Sequence, residues 1–427
     1  MTIGVVMTKK VVLTLLALAV TVLPAAAQNQ FLTSFVDSAG PHVYYQAWSP
    51  PYDLWQIAPT FPWSGDMNSL SVCTNMGNPP PENWGNSPSP LASFADFQGQ
   101  HVVYIDNHQA DLHVHDLQIS SCLGVGVPGV GAANEDMSIL AAVSAGGVFP
   151  SEPNGRSLTA FSDDRGKHYY YTGVDGHVHH IFFRYWCPSS CWPISHEDLT
   201  DLVWGTLPPA CGFVNSALTG FSDKTVSPNI ELVYYVGGSG HLCELAWYQG
   251  GEQSYDLTAM CGSGCGDGPP QPMLNSPLTG FTDSDGQHLF YLDSHSLSWT
   301  DGIHVHESVV GPNGLSTQDL TARSRGNWAA ANSLTSFSDA FGPQVFFVDI
   351  SNHVNQLNAK ALTNKDLTAS FGGALIGTSL TGSFDQWGRE DVFYISWDQH
   401  VWQLHSEDGS TWSPHNLTQR FGTPIAF

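Results

Sequence analysis

Seven positions along the chain raise the question of metal chemistry first. The segments DLWQI, HVHDL, HVHHI, HLCEL, HVHES, HVNQL and HVWQL place Asp53, His113, His177, His241, His304, His353 and His400 at equivalent points. Imidazole and carboxylate are common transition-metal donors, so a ring of them would be a metal centre. The reach is wrong. If these segments are third strands of separate sheets around one axis, a strand spacing of about 4.8 Å puts them roughly 20 Å from that axis and about 15 Å apart. A zinc–imidazole bond is about 2 Å long. One ion cannot bridge neighbouring copies, so these residues read as structural, and no metal or cofactor is expected.

Other catalytic chemistry is equally unmarked. No Gly-x-Ser-x-Gly elbow and no His-Glu-x-x-His occurs, and no carboxylate pair stands out from the repeating pattern. SEDGSTW, from Ser406, and SDDRGKHY, from Ser162, faintly resemble the Asp-box of sialidases, but both fall where a hairpin is needed anyway. Cys187/Cys191 and Cys261/Cys265 share a C-x3-C spacing without a second ligand pair at finger-like distance, which disfavours zinc. No catalytic residue is assigned.

The first 27 residues read as an export signal. Lys9 and Lys10 precede the apolar run VVLTLLALAVTVLP, too short to span a bilayer comfortably, and Ala25–Ala27 offer a small-residue cleavage site. The expected product is secreted or periplasmic, without membrane insertion. Removing the segment takes two lysines from the 13 basic residues and none of the 38 acids, so the net charge moves from −25 to −27. So acidic a chain repels phosphate backbones, and no nucleic-acid partner is expected. Charged and aromatic residues each make up 12%, a balance that fits an ordered globule and not an acidic disordered tail. The eight cysteines all precede residue 266 and read as disulfides, with their pairing left open.

The elements that must carry any site are repeats. Seven copies of one phrase begin at Leu32, Leu91, Leu158, Leu218, Leu278, Leu334 and Leu380, 46 to 67 residues apart. Each opens with a run such as LTGF and reaches an Asp: Asp37, Asp96, Asp163, Asp223, Asp283, Asp339 or Asp385. Six copies place a Gly three residues later, a hairpin device in which Asp bonds its own turn and Gly supplies positive φ. A second run, such as VVYID or VFFVD, is apolar on both faces, as a strand packed between two sheets must be. The third run begins at the histidines above. A fourth reads as DLT from Asp198, Asp256, Asp319 and Asp366 and as NLT from Asn416, with fainter forms NSLSV and DMSIL in the first two copies. Long Gly/Pro-rich insertions, APTFPWSGDM… and SSCLGVGVPG…, read as loops leaving those two copies. Seven such units without a helical period between them imply an all-β chain, one seven-bladed β-propeller of four-stranded antiparallel blades over residues 28–427. How the ring closes is left open.

In this frame the pairing of strands 2 and 3 resembles the fungal and bacterial fucose-specific lectin propellers. In that family an Arg on strand 2 and a Glu on strand 3, with an aromatic of the next blade, form a sugar pocket between blades. The Arg position here holds His42, His101, His168, Glu231, His288, Gln344 and Asp391, and the Glu position holds Gln56, Asp116, His180, Glu244, Glu307, Gln356 and Gln403. No copy keeps the arginine, and a neutral imidazole offers one donor and one acceptor in place of its fork. His288/Glu307, His101/Asp116 and His42/Gln56 keep the best donor–acceptor pairing, and Trp412 in GSTW, with Trp63, stands for the family's turn tryptophan. The resemblance implies a multivalent carbohydrate-binding protein. A non-catalytic scaffold for protein or peptide is the alternative, and a propeller glycosidase or lyase is a third reading.

Overall fold

The computed structural model describes residues 32–37, 40–47, 54–59, 63–66, 90–106, 112–122, 129–148, 150–186, 193–203, 207–214, 216–224, 229–248, 251–261, 265–293, 302–371, 376–385 and 387–426. Seven four-stranded antiparallel sheets, each with its strands in chain order, span residues 32–66, 91–136, 153–198, 219–256, 278–319, 329–366 and 376–416. They are numbered blades 1 to 7. The first strand of each blade touches the first strands of the blades on either side, and blade 7 touches blade 1, so the seven sheets form a closed ring.

Local chemistry sets the hairpins. In blade 2, Asp96 Oδ1 accepts from the backbone N–H of Gln98 and Gly99 at 2.7 and 3.1 Å, and Gly99 holds φ at 143°. Only glycine adopts that backbone without strain. The second strands then bury both faces. Val345, Phe346, Phe347 and Val348 are all sealed, with Val345 and Phe347 in the core shared with blade 5 and Phe346 and Val348 in the core shared with blade 7. Alternation along a strand thus feeds two interblade cores, each large side chain contributing roughly 1.5–3 kcal/mol by burial.

Around the axis the first strands are stitched by hydroxyls. Thr381 of blade 7 meets Ser34 of blade 1 at 3.0 Å, Thr33 meets Ser93 of blade 2 at 2.8 Å, and Thr279 of blade 5 meets Ser336 of blade 6 at 3.0 Å. Where that serine is replaced by Gly280, a Cβ would come within 2.6 Å of His288 O and 2.9 Å of the Phe221 ring, so the glycine is a close-approach position. No strand is exchanged between terminal blades among the described residues. The seam is closed instead by the segment after blade 7: Ala426 bridges to Ala47, and Tyr45 Oη donates to Pro424 O at 2.9 Å.

Four expectations need correction. The DLT segments do not continue the fourth strand; the strand ends at the Asp, and Leu-Thr opens a short helix, as in Leu199–Leu202, Leu257–Met260 and Leu320–Ser324. In blade 2 this helix is two turns long, Met137–Ser144, so a helical period does occur. The fourth strand of blade 1 is Trp63–Asp66, inside the stretch read as a loop, while NSLSV lies outside the described residues. The second supposed loop holds paired ends of two strands of blade 2, His113–Cys122 and Gly129–Asp136. Of the cysteines, Cys211 pairs with Cys243 and Cys261 with Cys265, which removes the latter pair from any zinc site. Cys73, Cys187 and Cys191 lie outside the described residues.

The helix turns are held by a repeated three-part clasp. Asp198 Oδ1 caps the helix by accepting from Asp201 N at 2.9 Å, its Oδ2 accepts from His177 Nδ1 at 2.8 Å, and Thr200 Oγ1 accepts from Val178 N at 2.9 Å. The His–Asp contact recurs as His113–Asp136, His241–Asp256, His304–Asp319 and His353–Asp366, at 2.6 to 2.8 Å. An acceptor at the N-cap satisfies a helix N–H that would otherwise lack a partner. The Asn416-Leu417-Thr418 sequon is built the same way, its Asn capping Gln419 N at 2.8 Å.

Candidate functional site

At the hairpin edge of each blade the turn Asp, the strand 2 residue and the strand 3 residue lie in one row. The antiparallel register sets this: in blade 5, Phe281 faces His288 and Phe290 faces Glu307, so His288 and Glu307 become diagonal neighbours on one face. His288 Nδ1 meets Glu307 Oε1 at 2.7 Å and its Nε2 meets Asp283 Oδ1 at 3.0 Å. His101 lies likewise between Asp116 at 2.9 Å and Asp96 at 3.1 Å, and His42 between Gln56 at 2.7 Å and Asp37 at 3.0 Å. Each histidine also stacks on the Phe of its own first strand: Phe281, Phe94 and Phe35, with ring centroids 4.7 to 5.2 Å apart.

The three sequence-predicted pairs are therefore brought together, but deep in the protein. His101 is 0% exposed, His288 4% and Gln56 2%. Burial pushes His101 down, and the charges of Asp116 and Asp96 more than reverse it, so its pKa is raised. His288 is raised in the same sense by Glu307 and Asp283 against its burial. Trp412 is buried too, edge-on to Phe346 of blade 6 with centroids 5.7 Å apart. Trp63 opens the fourth strand of blade 1, opposite Ala58, and its side chain lies outside the described residues.

Neighbouring blades supply the side chains that fill these rows. The residue just before the strand 2 histidine reaches back into the previous blade. Gln100 bonds Asp37 at 2.8 Å, Tyr44 at 2.8 Å and Gln56 at 3.0 Å; Lys167 stands 3.6 Å from Asp116; Gln287 bonds Tyr234 at 2.6 Å and Asp223 at 3.2 Å. Between blades 3 and 4, Arg165 pairs with Glu231, which also accepts from Tyr170 at 2.6 Å. Burial would raise Glu231, but His168, His180 and Arg165 hold it down at about 2. Buried Glu244, with only Tyr234 as a partial offset, is pushed up to about 7. A sugar in the first two junctions would have to displace Gln100 and Lys167. In blades 6 and 1 the reaching position is Pro343 and Pro41, and proline has no such side chain; in blade 7 it is Glu390, which lies against Asp339 and does not line the pocket beside Gln344 and Gln356.

An open interblade pocket of about 220 Å³ does exist between blades 6 and 7. Gln344 and Gln356 of blade 6 form its polar wall, the Gly409–Ser410 hairpin of blade 7 faces them, and Phe341 and Lys365 stand at its rim. Gln356 Nε2 donates to Gln344 Oε1 at 3.1 Å and Gln344 Nε2 to Asp339 Oδ1 at 3.2 Å. Each amide has two N–H groups and a carbonyl oxygen, so these two bonds leave hydrogen-bonding capacity for a ligand. Phe341, 61% exposed, offers an aromatic face. The sequence reading placed Gln344 and Gln356 in the right rows but missed Phe341; its signal was the turn Asp-Ala-Phe-Gly, where an apolar ring sits in a hairpin that should be polar. At the opposite edge, blades 2 and 5 each gather two histidines and two carboxylates, the donor set a metal would need.

Fold and strand pairing define a seven-bladed β-propeller. No protein-family model matches the chain, and no curated protein matches it. Among solved structures it is similar to AofleA from Arthrobotrys oligospora, at 10% identity over 91% of this chain and 86% of the other, with a TM-score of 0.46. It is also similar to the fucose-recognising, six-bladed lectin of Aleuria aurantia, at 12% identity over 76% of this chain and 93% of that one, TM-score 0.44. A puromycin-hydrolysing peptidase of Mycobacterium tuberculosis overlaps at 11% identity, over 92% of this chain and 54% of the other, TM-score 0.45. The seven-blade assignment stands on the strand pairing itself and not on these overlaps.

Proposed function

We propose that this protein is a secreted, lectin-like carbohydrate-binding propeller whose principal site is the pocket between blades 6 and 7. The observation that carries the reading is the meeting there of Gln344 and Gln356 with the exposed ring of Phe341 and the facing Gly409–Ser410 hairpin. Sugar hydroxyls want fixed donors and acceptors, and the C–H face of a pyranose packs on an aromatic ring. The pocket has the size of one sugar ring, which suits recognition of a terminal residue. The His288/Glu307 row is the second candidate, because Pro343 leaves it without the filling side chain that Gln100 and Lys167 provide elsewhere. The His101/Asp116 and His42/Gln56 rows then serve chiefly to bind blade to blade.

The test is a glycan array probed with residues 28–427, repeated with Gln356→Ala, Phe341→Ala, His288→Ala and Glu307→Ala. Binding to one sugar class that is lost in the first two variants and kept in the last two is the expected result. The reverse pattern moves the site to blade 5. A blank array at high protein density sinks the sugar reading and favours a scaffold that binds protein or peptide.

A further inference from the structure

The far edge of blade 5, away from its Asp283 hairpin, opens into a cavity of about 530 Å³ lined by Tyr291, Asp293, His304, His306, Asp319 and Arg323, among others. Register explains the grouping. Asp293 ends strand 2 opposite His304, and His306 faces Asp319 on strand 4; residues two apart on a strand share a face, so all four side chains converge. His304 Nδ1 meets Asp319 Oδ2 at 2.6 Å, and Asp319 Oδ1 caps Ala322 N at 2.8 Å, which fixes that carboxylate. His306 is held flat against Tyr291, with centroids 5.7 Å apart.

The distances at His306 differ from those of the clasp. Its Nε2 stands 3.7 Å from Asp293 Oδ2 and 3.7 Å from Asp319 Oδ2, too far for a hydrogen bond to either. Two metal–ligand bonds of about 2.1 Å spanning that gap would meet at roughly 120°, within the range of zinc coordination. Blade 2 repeats the arrangement. His113 meets Asp136 at 2.7 Å, and His115 Nε2 stands 3.6 Å from Asp106 Oδ2 and 3.9 Å from Asp136 Oδ2. Asp106 is about nine-tenths buried, yet its Oδ1 has no hydrogen-bond partner among the described residues. Blade 6 shows the alternative solution: Asn355 takes the second histidine's place and donates directly to Asp349 at 2.9 Å, leaving no gap to fill.

We propose that blades 5 and 2 each hold a zinc-class divalent cation. The ligands are His306 Nε2, Asp293 and Asp319 in blade 5 and His115, Asp106 and Asp136 in blade 2. One imidazole and two carboxylates suit such an ion, and the carboxylates balance its charge. His304 and His113 are positioning residues that hold the ligating carboxylates. In blade 5 the remaining coordination positions open into the cavity, where water or an oxygen-bearing ligand completes them. The sequence excluded one ion shared between blades, and that exclusion stands; the donors converge within a blade.

Calorimetric titration of zinc into the chelator-treated protein tests this. Two tight sites are expected, one lost in His306→Gln, the other in His115→Gln, and both in the double variant. His304→Gln should keep the count and weaken the blade 5 site by about 10- to 100-fold. Asp293→Asn, nearly isosteric, is the second probe of blade 5, and metal-free circular dichroism and melting curves show whether each variant is folded. Zinc binding only in the millimolar range, or a stoichiometry that neither His306→Gln nor Asp293→Asn changes, overturns the proposal.

Discussion

Lys167 stands 3.6 Å from Asp116 across the junction of blades 3 and 2, and both side chains are sealed from solvent. Asp116 also accepts from Tyr169 at 2.7 Å and lies against His101, so the lysine is one of three groups that hold a buried carboxylate. Replacing it by Met removes the charge but keeps most of the volume. Lys167→Met is expected to lower the unfolding free energy by about 3 kcal/mol, because the carboxylate stays buried with fewer partners. Lys167→Gln, the residue found at this point as Gln100 and Gln287, should recover more than half of that loss. Urea denaturation at pH 7 compares them; equal losses would mean that packing, and not reach to Asp116, is what Lys167 contributes.

The same carboxylate sets an acid limit. Burial would raise Asp116, but His101 and Lys167 hold it down at about 2, below the usual 3.8. A depressed folded pKa gives stability that is fully present above about pH 4 and is lost as the pH falls through 2, here about 2 kcal/mol. Stability measured from pH 7 down to 2 should fall more gently in Asp116→Asn than in the parent. An unchanged slope would remove Asp116 from the acid limb.

Glu390 works in the opposite direction. It occupies the reaching position of blade 7, is 1% exposed, and is pushed up to about 9 first by burial and then by Asp339 of blade 6. Glu390 Oε2 and Asp339 Oδ2 both lack a donor among the described residues, which fits a protonated Glu390 beside Asp339. A raised folded pKa means stability present below the ordinary 4.5 and lost as the pH rises through 9. Glu390→Gln supplies a permanent donor, so it should be more stable than the parent at pH 8 by about 1 kcal/mol or more, with little difference at pH 4. Thermal melts at the two pH values decide it, and a Gln variant weaker at pH 8 sinks the account of a protonated Glu390.

The helix clasp can be tested one bond at a time. Thr200 is fully buried, and Thr200→Val removes the acceptor of Val178 N–H without changing the shape. The orphaned amide should cost about 1–3 kcal/mol. Asp198→Ala should cost about 1 kcal/mol for the cap, with a further loss from His177. Hydrogen exchange at Val178 should quicken in both variants, while the equivalent Val401 in blade 7 stays protected. Uniform quickening around the ring would argue against a local clasp.

What the sequence made legible was whatever depends on neighbours in the chain. The Asp-to-Gly hairpins and the doubly apolar second strands are local, and they specify seven blades without further help. The helix turns after the DLT segments are hidden in the sequence because one turn is too short to show a 3.6-residue period; their signal is an Asp or Asn at an N-cap, as before LTARS and LTQRF. The rows at the hairpin edge were placed correctly, His288 beside Glu307 and His101 beside Asp116. Their burial was not legible, because it depends on residues in the next blade: Lys167 fills the row of Asp116 from 51 positions away. The pocket between blades 6 and 7 sets Gln344 and Gln356 opposite Gly409 and Ser410 of the next blade, a juxtaposition across two blades that composition does not encode.

Because every blade is one unbroken stretch of chain, the seam between blades 7 and 1 differs from the other six joints only in lacking a covalent link. In place of a link it has a core in which Val43, Tyr45 and Ile57 meet Phe393, Ile395 and Val401, and a peptide hook, Pro424 to Ala426, caught on Tyr45 and Ala47. Mechanically the ring is a belt with one buckle. A load that draws the two ends apart falls on that hook, on the Ser34–Thr381 stitch and on the shared core, with no chain link behind them.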